Sequence, residues 1–85
     1  MQVMVSYAHG EFEYWFTVHI ERHKKAFAGC VQGFDGEIEL VGSSVEDLIQ
    51  SARDSFHLLF HSGHWPGLLS HKEGNFERRL IGPPR

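Results

Sequence analysis

From Glu11 to Glu21 the chain alternates: Phe12, Tyr14, Phe16, Val18 and Ile20 take every second position, with Glu13, Trp15, Thr17, His19 and Glu21 between them. A period of two over aromatic and β-branched residues predicts a strand buried on one face. Val3, Val5 and Tyr7 keep the same period upstream and Ala8-His9-Gly10 can turn the chain, which predicts a first short strand. Downstream, Arg22-His23-Lys24-Lys25 reads as a polar turn and Ala26–Val31 as the returning strand of a hairpin. Gly29 lies inside that strand, where a missing side chain marks a bulge or a close neighbour. After the loop Gly33-Phe34-Asp35-Gly36, Glu37–Val41 offers Ile38 and Leu40 to a core and Glu37 and Glu39 to water.

The period then changes. Val45, Leu48, Ile49, Ala52, Phe56, Leu59 and Phe60 recur at the three-and-four spacing of one helical face. Ser43-Ser44-Val45-Glu46 reads as a capping box and Gly63 as the stop, so a helix is predicted over about residues 44–62. His64-Trp65-Pro66-Gly67 reads as a loop, and Phe76–Ile81 as a last edge strand. One amphipathic helix laid on one antiparallel sheet buries both apolar faces. The predicted class is therefore α+β: an antiparallel sheet of three to four strands, one helix packed on one face, order β-β-β-β-α with a candidate final edge strand. The 85 residues form a single domain, with an ordered core over about residues 2–62 and a loop and tail over 63–85.

Composition narrows the function classes. Hydrophobic residues are 41% and charged residues 22%, as in an ordinary globule, and the net charge is −3 with histidine neutral. Residues 1–70 hold four basic side chains against nine acidic ones, while residues 71–85 hold four against two. An acidic body argues against general binding to nucleic acid or anionic membrane. Lys72, Arg78, Arg79 and Arg85 in the tail are diluted by Glu73 and Glu77 and lack a stacking platform, so nucleic-acid binding by this chain alone is not expected. No apolar run reaches the roughly 18 residues of a membrane helix. Cys30 is the one cysteine, which points to a reducing, cytoplasmic setting without a disulfide.

The stretch Phe16–Phe56, about half the chain, resembles the HicB antitoxin family. Phe16-Thr17-Val18 and Ile20-Glu21 stand in the first strand of its pattern, and Phe27 leads the second. Phe34-Asp35-Gly36 closes the loop, and Gly42-Ser43-Ser44 precedes the Glu46-Asp47-Leu48 helix start. Gln32-Gly33 replaces the family's Pro-Asp, an extra strand-like segment precedes Phe12, and the tail shows no operator-binding pattern. The resemblance implies a partial RNase-H-like fold. It further implies a non-enzymatic inhibitor that binds a small basic ribonuclease toxin and covers its RNA site. A phage-type anti-defence inhibitor with the same small fold and another protein target is the alternative within the binding class.

Several residues are candidates for that role. Asp35, Glu37 and Glu39, with Glu11 and Glu13, can form one negative surface facing a cationic partner, or simply the solvated face of a sheet. Trp15 falls opposite the aromatic face and Leu58 off the helix stripe, so each is a contact residue for a partner or a second subunit of a homodimer. The other reading is that Trp65, Leu68 and Leu69 fold back over them. From a different class, His57 and His61 are one helical turn apart, a spacing at which two imidazoles can share zinc. His64 is then the candidate third ligand, and His71 or Cys30 the fourth. Leu58 stands where a zincin needs its glutamate, so a metalloprotease is excluded, leaving a zinc-binding protein or metal-dependent nuclease. Equally, histidines at a helix C-terminus complement the exposed carbonyls and do nothing more. Cys30 has no sequence cue for activation as a nucleophile, and no enzyme activity is expected.

Overall fold

The computed structural model describes residues 1–36, 38–70 and 75–81. In chain order the elements are β1 (Gln2–His9), β2 (Phe12–His23), β3 (Ala26–Val31), β4 (Ile38–Gly42), α1 (Val45–His61), α2 (Trp65–Leu68) and β5 (Phe76–Leu80). The alternation of β2 places it at the centre of an antiparallel sheet. One edge pairs with β1, from Gln2↔His19 to His9↔Phe12. The other edge is shared end to end: β5 takes Phe12 to Phe16, and β3 takes Val18 to His23. β4 pairs outside β3. The α+β class expected from the pattern is the one observed.

Tyr14, Phe16, Val18 and Ile20 are buried on one face, together with Val5, Val31 and Leu40. Leu48, Ala52, Phe56 and Phe60, one per turn of α1, close over them. Gly29 sits close against the neighbouring strand: a Cβ would lie 3.0 Å from the His19 carbonyl oxygen of β2, whereas Leu48 Cδ1 of the helix, at 3.5 Å, would be an ordinary contact.

Beyond α1 the structure differs from the sequence expectation. The segment predicted as a loop is the short helix α2, with Pro66 in its first turn. Trp65 stacks on Phe60 with ring centroids 4.8 Å apart, and Phe76 stacks on Phe16 at 5.7 Å. The Leu68 and Gly33 carbonyls accept from the Asp35 and Ser70 amides, both at 2.7 Å, tying this segment to the loop after β3. The core therefore extends past the boundary expected near residue 62, because α2 and β5 supply apolar cover that a thin core lacks.

The helix start is also shifted by one residue. Ser44, not Ser43, is the N-cap, and its Oγ accepts from the Asp47 amide at 3.1 Å. Asp47, rather than Glu46, reaches back: its carboxylate accepts from Ser43 Oγ at 2.6 Å and from the Ser43 amide at 3.2 Å. The Ser43 hydroxyl, then its amide, hold the Asp47 carboxyl below the ordinary value. A lowered folded value adds stability above the unfolded value of about 3.9, and this is lost as pH falls through the folded value. Ser44→Ala is expected to cost about 1 kcal/mol in urea unfolding at neutral pH. Asp47→Asn should destabilise at pH 7, and its difference from wild type should shrink on acidification through the carboxylate range. A difference independent of pH would contradict the ionic role.

Candidate protein-binding surface

The helix covers one face of the sheet. The other face is built from the second set of alternating residues: Gln2, Met4 and Ser6 on β1, Glu13, Trp15, Thr17, His19 and Glu21 on β2, Ala28 and Cys30 on β3, Glu39 and Val41 on β4, Glu77 and Arg79 on β5. Residues of one register row stand side by side, so Gln2, His19, Cys30 and Glu39 form a line across four strands.

The small outward residues of β3 give this face its relief. Ala28 and Cys30 lie between the longer side chains of β2 and β4, leaving a shallow trough of about 350 Å³. His19 and Glu21 form one wall, and Glu39 and Val41 the other. The flanking strands are two sheet spacings apart, about 9.5 Å, a width that admits an extended segment or long basic side chains. Val41 is 75% exposed, a large apolar side chain at the rim. The Gln2 side-chain amide donates to His19 Nδ1 at 3.2 Å, while His19 Nε2 is enclosed with no hydrogen-bond partner among the described residues. Glu21 also contacts His23 Nε2 at 3.3 Å, an exposed pair of little energetic weight. Of the described strand residues with full charges on this face, Glu13, Glu21, Glu39 and Glu77 stand against Arg79.

The candidates from the sequence are dispersed. Glu39 is in the trough wall. Trp15 lies towards the β5 end of the same face but is half-buried: its Nε1 donates to Glu13 Oε1 at 2.6 Å and the Arg79 guanidinium lies 5.1 Å from its ring centre. Arg79 donates to Glu77 Oε2 at 2.8 Å, so one of the two carboxylates beside the indole is ion-paired. Trp65 packs on the helix side and does not cover Trp15. Asp35 is exposed in the loop after β3, anchored by its amide. Glu37 lies outside the described residues. Leu58, 72% exposed, is on the solvent side of α1, across the molecule from the trough. The four described partner-contact candidates, Trp15, Asp35, Glu39 and Leu58, therefore do not share one surface. A residue two positions from buried Phe56 is rotated about 200° round a helix.

Nothing in the sequence alone marks Glu21, Ala28, Cys30, His19 and Val41 as lining a trough. Glu21 shares the parity of Trp15, a usable signal. The small-residue floor acquires meaning only once β3 is known to lie between β2 and β4.

The histidine candidates also regroup. The His57 and His61 rings are adjacent, with centroids 4.3 Å apart. His64 does not complete them: it stands at the N-cap position of the short helix α2, without a side-chain capping bond, after Gly63 has turned the chain with φ +81°. Cys30 faces the trough, on the side of the sheet away from α1, and His71 lies outside the described residues. The ring beside His61 is instead that of His9, 5.5 Å between centroids. Among the described residues, no three His, Cys, Asp or Glu side chains already converge as an ion site. Compared with known proteins, the chain matches no family model, no curated protein and no solved structure.

Proposed function

We propose that this protein is a small inhibitory binding protein, acting in the manner of HicB-like antitoxins, and that the trough over β3 receives a basic partner such as a small ribonuclease toxin. The observation that carries this reading is a sheet face left uncovered by the described residues, with Glu21 and Glu39 on opposite walls and exposed Val41 at the rim. Carboxylates on both sides of a narrow trough attract Lys and Arg side chains and steer their approach, while Val41 supplies apolar contact. Inhibition then needs no catalytic group. Occupying the cationic surface that the partner uses for RNA is sufficient.

The test is retention of partners from extracts of the native host on immobilised wild-type, Glu21→Lys/Glu39→Lys and Leu58→Asp chains. Wild type and Leu58→Asp should retain the same small basic protein, whose expression alone arrests growth. The double charge reversal should weaken its affinity about tenfold or more, with a larger loss at low salt. Equal retention by all three chains, or loss only with Leu58→Asp, would remove the trough from the proposal.

A further inference from the structure

His57 and His61 project from successive turns of α1, and the end of β1 brings His9 to the same place. The ring separations are 4.3 Å for His57 and His61 and 5.5 Å for His9 and His61. Tyr7, two residues before His9 and on the same face of β1, hydrogen-bonds through its hydroxyl to His57 Nδ1 at 3.1 Å. We infer that these residues form a binding site for a late first-row divalent transition ion, with His57 and His61 as the primary chelate and His9 as the third ligand.

The spacing suits such an ion. With a metal–nitrogen bond of about 2.1 Å, an ion sits about 3.2 Å from each ligating ring centre. Ring centres 4.3 Å apart then subtend about 85° at the ion, and those 5.5 Å apart about 120°, both within the range of ordinary coordination angles. Each of the two ring pairs is thus spaced to share an ion, and the proposed site requires side-chain rotation to bring the three ring nitrogens to a common point. Tyr7 supplies the outer partner that metal-bound imidazoles characteristically have: with Nε2 on the ion, His57 Nδ1–H donates to the Tyr7 hydroxyl, which sets tautomer and ring plane. His9 is braced by Phe60 and Trp65, with ring centroids 5.3 Å and 5.5 Å away, so the third ligand stands on packed structure. An all-imidazole set favours Zn²⁺, Ni²⁺ and Cu²⁺ over Mg²⁺ and Ca²⁺, which require oxygen. The site is across the sheet from the trough and does not depend on the inhibitor reading.

The experiment is calorimetric titration of the tag-free chain with ZnCl₂ and, separately, NiCl₂. One ion per chain is expected, with no heat from MgCl₂. Free zinc at about 100 times the dissociation constant should raise the unfolding midpoint by about 10 °C or more. His57→Gln and His61→Gln should each abolish saturable binding, and Tyr7→Phe should weaken it about tenfold. His64→Gln should leave it unchanged. In NMR spectra Ni²⁺ should broaden the imidazole resonances of His9, His57 and His61 at substoichiometric ratios and spare those of His23, a readout that requires no variant to fold. Absence of saturable binding by wild type, binding that survives His57→Gln/His61→Gln, or broadening centred on His64 would overturn the site.

Discussion

Phe16→Ala is expected to cost about 3–5 kcal/mol, the largest loss from any single truncation in this chain. Phe16 has no exposed surface and packs against aromatic rings from three separate segments. Its ring is 4.7 Å from those of both Phe34 and Phe56, and 5.7 Å from Phe76. The loop after β3, the helix and β5 thus meet on one side chain. Truncation removes its transfer free energy and leaves a cavity that three elements held from different directions cannot easily close. For a domain of this size, such a loss lowers the melting midpoint by about 15 °C or more. Urea denaturation with an unchanged m-value measures it. A loss below about 1 kcal/mol would mean that the core is far less tightly packed than the ring distances indicate.

Gly33→Ala is the second large effect, through the same ring. Gly33 has φ +114°, a conformation that L side chains rarely adopt. A Cβ there would lie 2.5 Å from Phe16 Cδ1, 2.9 Å from Cε1 and 3.1 Å from Phe76 Cβ. Backbone strain and overpacking combine to an expected cost of about 2–5 kcal/mol. The two substitutions should be coupled. In the Phe16→Ala/Gly33→Ala chain the clashing ring is gone, so the double variant should lose less than the sum of the single losses. Strict additivity would contradict the contact.

Much of this arrangement is legible in the sequence because it rests on local periodicity. Phe12 to Ile20 can bury a face only as a strand, and Leu48, Ala52, Phe56 and Phe60 can do so only as a helix. The cap is less legible: Ser43 and Ser44 are adjacent and each has an acid three residues on, so spacing alone does not choose between them. The position of β5 is non-local. It pairs with Phe12 to Phe16 because β3 is too short to cover that half of β2, a fact that emerges from register and not from the residues of β5. The trough is hidden for the same reason: Ala28 and Cys30 are merely small until β2 and β4 stand on either side. His9 is a middle case. Its parity with Val5 and Tyr7 places it on the helix side of the sheet, but nothing in the spacing says that α1 ends there. His64 was the nearer candidate in sequence, and the turn at Gly63 carries it to the cap of α2.

The trough matters because, among the described residues, it is a broad sheet surface that no helix covers and that carries mainly negative charge. Leu58 is exposed on the solvent side of α1, on the opposite side of the sheet from the trough. The most direct measurement is a titration of the isotopically labelled chain with the basic protein that the proposal expects it to retain, purified, followed by backbone amide shifts. Binding at the trough should move Ala28, Cys30, Glu39 and Val41 most strongly and leave the α1 residues around Leu58 in place. Shifts concentrated on α1, with β3 and β4 unmoved, would contradict it.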